Sequence, residues 1–265
     1  EMNADQAAAR YLNATGQSIK GMLTTFERFS QSLSLSGVQV DQYQISHPLP
    51  RERIALLEEL ARKSKYFDTK DPKRLNDRHQ LMRAKIAAYS GGAAAVARLF
   101  SKDRGSLAAR YGDAIATDLS GNSAASLKKL DALIREQPNN PYFHEFRGEV
   151  LVKLRKTDEA IKAFARAVKL DRSNSPLIRA RHGFALVASG NPANMNRAIQ
   201  ELRVAIQAEP DNFAAYRHLS QAYGQTGDIA NAELAMAEGN FRAGNTREAK
   251  VFAARALPKL PKGSP

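Results

Sequence analysis

One interval pattern constrains this chain more than any other. Ala198, Leu202, Ala205 and Pro210 stand at relative positions 0, 4, 7 and 12, and Ala249, Ala253, Ala256 and Pro261 repeat those intervals. Ala160, Phe164 and Ala167 repeat the first three. Offsets of four and seven bring these side chains onto one face of an α-helix. Small residues on that face let a second helix approach closely, and the proline then closes the helix, because it cannot continue one.

The same logic runs through most of the chain. Helical spacing predicts helices at 2–14, 17–34, 51–64, 75–89, 92–101, 105–119, 123–136, 141–154, 157–170, 176–189, 194–208, 212–225, 228–242 and 246–257. Between them lie Gly91-Gly92, Gly121-Asn122, Pro138-Asn139-Asn140, Gly190-Asn191-Pro192, Gly227-Asp228 and Gly244-Asn245, the residues that punctuate turns. The expected fold is all-α. Three units share a register. One starts at Pro141, with Gly148 at a tight inter-helix position. One starts at Pro176, with Gly183 and a short insertion from Asn191 to Asn194. One starts near Phe213, with Tyr216, Leu219 and Tyr223 in its first helix and Ala232 in its second. Helix pairs before Asn140 are degenerate. This pattern resembles the tetratricopeptide repeat (TPR), a helix–turn–helix unit of about 34 residues.

That resemblance implies a superhelix whose concave face is lined by the first helix of each pair. The candidate groove residues are then Tyr142, Glu145, Glu149, Lys153, Phe184, Arg217 and Gln221. Repeats of this kind bind proteins or peptides and seldom carry chemistry. Some clamp a terminal carboxylate with Lys, Arg and Asn, but the corresponding places hold Glu145 and Glu149, which argues against such a clamp here.

Composition narrows the partners. Across 265 residues, 40 Lys and Arg against 27 Asp and Glu give a net charge of +13, which suits an acidic partner or simply solvated helix faces. No basic tract reaches five residues, aromatics are not interleaved with the basic residues, and Asp68, Asp71 and Asp77 dilute the densest basic stretch at 62–85. These features argue against nucleic acid. No apolar run approaches the roughly 18 residues of a membrane span, and no charged start with an apolar core marks a signal peptide. Without cysteine there is no disulfide or thiolate metal site.

The first 65 residues carry a second pattern. Glu1 and Asp5 stand one helical turn apart, followed by Ala7-Ala8-Ala9-Arg10-Tyr11-Leu12, Gly16, Gly21-Met22-Leu23 and Ser46-His47-Pro48-Leu49-Pro50-Arg51-Glu52-Arg53-Ile54. The stretch resembles the end of the catalytic domain in zinc metalloproteases of the HtpX and CAAX-endopeptidase type, nearest the BepA-like periplasmic subgroup, which has a C-terminal TPR domain. The resemblance implies that Glu1 is the third zinc ligand of a longer parent. It makes Asp5 the acid that orients that ligand and His47 an alternate ligand or a group beside the metal. Arg53 is then available to pair with an acid of the catalytic domain. A protease of this type also needs His-Glu-x-x-His on a helix. His47, His79, His144, His182 and His218 include no two that are four apart. The chain alone is therefore expected to be inactive and to hold zinc weakly at most.

These readings give a metalloprotease remnant at 1–65, a linker at 66–73, a TPR-type array at 74–258 and a tail at 259–265. The expected parent is a periplasmic zinc endopeptidase whose repeats hold substrates or envelope-assembly partners beside its own catalytic domain. The alternative is a non-enzymatic TPR adaptor. A third reading, nucleic-acid binding driven by the net charge, predicts salt-sensitive association with any duplex.

Overall fold

The computed structural model of the protein describes residues 2–35 and 50–261, without the side chains of Leu33 and of residues 50–52. Glu1 and His47 lie outside the described residues, as does most of the expected loop at 35–50. The described residues form thirteen α-helices and no strand. In order these are α1 (Met2–Ala14), α2 (Lys20–Leu35), α3 (Pro50–Arg62), α4 (Lys73–Leu99), α5 (Leu107–Leu119), α6 (Ser123–Glu136) and α7 (Pro141–Lys153). There follow α8 (Thr157–Leu170), α9 (Pro176–Ala188), α10 (Pro192–Ala208), α11 (Phe213–Gln225), α12 (Ile229–Arg242) and α13 (Thr246–Ala256). No helix among the described residues is long and apolar enough to cross a membrane.

The turn residues set these boundaries. The side chains of Asn122, Asn140, Asn191, Asn212 and Asp228 each accept a backbone N–H from the first turn of the helix they precede. Such caps satisfy donors that a helix start leaves without partners. Gly190 and Gly227 take positive φ values of 62° and 80° just past the ends of α9 and α11, a conformation glycine adopts without penalty.

Among the expected starts that shift, two have a clear local cause. Helix α2 begins at Lys20 rather than 17, where the Ser18 hydroxyl accepts the Lys20 N–H at 3.1 Å. Helix α10 begins at Pro192 rather than 194. Asn191 is its cap, so the inserted residues lengthen the helix instead of its turn. Gly91 and Gly92 fall outside helical geometry and kink α4 where a break between two helices is expected.

Contacts divide the chain into Glu1–His79 and Gln80–Pro265. In the first unit α3 packs on both α1 and α2. Its core is Ala9, Ile19, Leu23, Leu57 and Ala61, all buried. Arg53 of α3 also grips Asp5 of α1 and lies over the Phe26 ring of α2, with 4.2 Å from guanidinium carbon to ring centroid.

In the second unit each helix from α5 to α13 packs on the next. The small residues read from the sequence sit at the closest approaches. A methyl group on Gly148 would stand 2.8 Å from the Phe164 ring, and one on Gly183 would stand 2.5 Å from Leu202 Cγ. Ala160, Ala167, Ala198 and Ala205 are fully buried beside them. The pair α11–α12 reverses the arrangement. There the glycine is on the second helix, and Gly239 makes room for Tyr216.

Beyond neighbour packing, α5 touches α7, α7 touches α9, and α9 touches α11. The second helices α6, α8, α10 and α12 make no such contact with one another. First helices thus form a continuous wall, and second helices stand apart on the other side.

Candidate partner-binding groove

The wall of first helices brings charged and aromatic side chains into one row. On α7, Glu145 and Glu149 stand one turn apart, which places both on the same side of the helix. Each is held from a different neighbour. Lys85 of α4 lies 3.4 Å from Glu145 Oε1, and Arg181 of α9 lies 3.8 Å from Glu149 Oε1. Lys153, at the end of α7, donates to Asp118 of α5. The carboxylates form the floor, with side-chain exposures of 10%, 12% and 1% for Glu145, Glu149 and Asp118. The cations cover them, and Lys153 and Arg181 stay half exposed.

Burial dominates the electrostatics of this floor. It pushes the Glu145 carboxyl above its ordinary pKa, against the pull of Lys85 and with a further push from Glu149. Tyr89 of α4 lies beside the same carboxylates with half its surface exposed. Burial of the rest and the Glu149 charge raise its phenol pKa.

The row continues on α9 and α11 with different chemistry. The Phe184 and His218 rings stack at 4.7 Å between centroids and 45° between planes. His218 Nδ1 lies 3.0 Å from Gln221 Oε1. Burial lowers the His218 pKa, and the charges of Arg217 and Arg181 lower it further, against the Gln221 hydrogen bond. Arg217 and Gln221 are exposed. Tyr142, at the start of α7, is half-buried against the core around Tyr111 and Phe143.

Six of the seven expected groove residues therefore fall into two clusters. Glu145, Glu149 and Lys153 belong to one, and Phe184, Arg217 and Gln221 to the other, whereas Tyr142 packs into the core. Sequence reasoning missed Lys85, Tyr89 and Asp118, because the helices before Asn140 depart from the repeat pattern. It also missed Arg181 and His218. Their signal was available: both stand six residues past the cap of their helix, Ser175 or Asn212.

On the opposite side, the gap between α10 and α12 is a crevice of about 670 Å³ floored by Leu219 and Tyr223 of α11. Arg203, Val204 and Gln207 form one wall, and Asn231, Leu234 and Glu238 the other.

In the first unit, Asp5 is buried and accepts two hydrogen bonds from Arg53, at 2.7 and 2.8 Å. One partner of Arg53 is thus in its own unit. Among the described residues no three His, Asp or Glu side chains converge as a metal site would require.

Comparison with known proteins agrees with the repeat architecture. The family profile described as "Tetratricopeptide repeat" matches residues 143–174. Among solved structures, "MamA MSR-1 C2" superposes with a TM-score of 0.51 at 20% identity, covering 66% of this chain and 99% of its own. "MamA AMB-1 P212121" gives 0.52 at 19% identity, covering 63% and 97%. YrrB, described as "a TPR protein with an unusual peptide-binding site", gives 0.50 at 19% identity, covering 69% and 87%. At these identities the likeness is one of fold. No curated protein matches the sequence.

Proposed function

We propose that residues 80–265 are a non-enzymatic binding array that holds a segment of a protein partner along its first helices. The observation that carries this reading is the row on α7, α9 and α11. A covered carboxylate floor passes into the half-buried Phe184 and His218 rings, flanked by the exposed Arg217 and Gln221, all of it on the side where first helices touch. Surfaces that recognise peptides combine rigid aromatic anchors with a few placed charges. YrrB, which shares the fold, is described by its peptide-binding site, and this supports the same use here.

Site-specific photo-crosslinking in the source cells tests the reading. A crosslinker at Phe184 or Gln221 should give a discrete protein adduct, and one at the outward Lys162 should not. Adducts of equal yield from both faces, or none from the groove, would overturn it.

A second reading rests on Asp5 and Arg53. We propose that residues 1–65 are the last helices of a zinc metallopeptidase domain of the BepA-like kind, working in the periplasm. A buried carboxylate gripped by two guanidinium N–H groups in a unit this small is costly unless position matters. The metallopeptidase resemblance supplies such a need, with Glu1 one turn before Asp5 as a zinc ligand and His47 near the metal. Zinc in that parent would activate a water for attack on a peptide bond. The described residues supply no complete ligand set, and the further ligands belong to the parent's His-Glu-x-x-His. Sequencing the gene upstream of Glu1 decides this: that motif supports the reading, and its absence leaves the adaptor alone.

A further inference from the structure

The charge of this protein is not evenly spread. Residues 80–265 hold 28 Lys and Arg against 17 Asp and Glu, so +11 of the net +13 belongs to the repeat unit. On α4, α7 and α9 many of the cations are spoken for. Lys85, Lys153, Arg147, Arg179 and Arg181 all pair with carboxylates. Two second helices differ. On α6 and α8, Lys128, Arg135, Lys162 and Lys169 are exposed and hold no salt bridge among the described residues.

Their register is the same in both helices. Lys128 and Lys162 follow the core-facing Ser126 and Ala160 by two residues, and Arg135 and Lys169 follow them by nine. At about 3.6 residues per turn, both offsets point away from the core, and the two cations of each helix lie about 10 Å apart along its axis. The neighbouring acids Asp131 and Glu136 are tied to Arg147 and Arg110. Asp158 is the one exposed acid in the stripe. The equivalent places on α10 are Gln200 and Gln207, with the exposed Arg203 between them.

We propose that the outer face of α6 and α8 docks the protein on an anionic lipid surface. The four cations project outward from two separate helices, as two parallel stripes. Aromatic residues are missing from both stripes, and with them the platform that single-stranded nucleic acid stacks on. A flat sheet of negative headgroups needs no such platform. It attracts each nearby Lys or Arg strongly enough to tighten binding about fivefold. This inference is independent of the groove reading, since the groove lies on the other side of the array.

The test is co-sedimentation of the full chain with vesicles, at low and at physiological salt. Phosphatidylcholine vesicles containing a minority of phosphatidylglycerol should retain the protein, and pure phosphatidylcholine should not. The variant K128Q/R135Q/K162Q/K169Q should bind at least about 100-fold more weakly. A control of equal net charge, K102Q/R104Q/R247Q/K250Q, alters exposed cations elsewhere and should bind within severalfold of the parent. Thermal melting checks that each variant folds. If the fourfold variant does not, K162Q/K169Q replaces it, with an expected loss of about 25-fold. Absence of binding, equal loss in the control, or tighter binding to duplex DNA that the fourfold variant abolishes would each overturn the proposal.

Discussion

Arg53 holds both carboxylate oxygens of Asp5 across 48 residues of sequence, and its guanidinium lies over Phe26. One side chain therefore joins α1, α2 and α3. Among the described residues this unit's core holds Ala9, Ile19, Leu23, Leu57 and Ala61, and the Asp5–Arg53 pair joins the same helices beside it.

Removing either residue should break this buried, two-point ion pair. Arg53→Met or Asp5→Ala should each destabilise the unit by about 3–5 kcal/mol. The double replacement should cost less than the two single changes together. Hydrogen exchange of α1–α3 amides measures this, and additive losses would show that the two residues are not coupled.

The glycines of the repeat unit should respond in opposite senses. Gly183→Ala puts a methyl group 2.5 Å from Leu202 Cγ and should cost about 1–3 kcal/mol by overpacking. Gly224 lies within α11 with nothing near its missing methyl. Gly224→Ala should stabilise by about 0.5–1 kcal/mol, because glycine is a poor helix residue. Urea denaturation of both variants checks the contrast.

Glu145 should make stability fall as pH rises. Its folded pKa lies above the unfolded value, so between those values the folded chain holds more protons than the unfolded one. The loss begins near pH 4.5 and is complete above the folded pKa. Glu145→Gln mimics the protonated form, so it should remove this slope and leave stability at pH 7 equal or higher. A variant less stable than the parent at pH 7 would mean that the Lys85 pair outweighs burial.

His218 should act in the other direction on acidification. Its folded pKa is lowered, so the unfolded chain takes up protons first as pH falls below about 6.5. Stability should decline through that window and level off below the folded pKa. His218→Gln should flatten the decline in melting temperature between pH 7 and pH 5.

Within the groove, Phe184→Ala should weaken a crosslinked partner by about tenfold or more, as loss of an aromatic anchor does. Melting should change little if Phe184 acts through contact with the partner. A matching loss of stability would assign it to packing against His218 instead.

Most of the architecture is legible in the sequence, because its devices are local. Asparagine and aspartate caps, prolines at first positions and small residues at four- and three-residue intervals each act within one or two turns. The sequence also shows that Glu145 and Glu149 share a face. It does not show what covers them. Lys85 is 60 residues from Glu145, on a helix with no repeat signature, and no local rule connects the two. Lys85 and Arg181 lie over these acids. Asp5 shows the same limit. Its helical spacing from Glu1 was visible, but its grip on Arg53 depends on the packing of α1 against α3.

The contact pattern of the repeat unit has a consequence for how it comes apart. Helix contacts there join immediate neighbours or first helices one pair apart, and no element contact runs from α5 or α6 to α12 or α13. Such an array unzips from its ends, since a terminal pair can leave while the middle stays folded. The α12–α13 end, with Phe241 and Leu257 turned to solvent, should therefore fray first, and amide exchange should slow progressively toward α7.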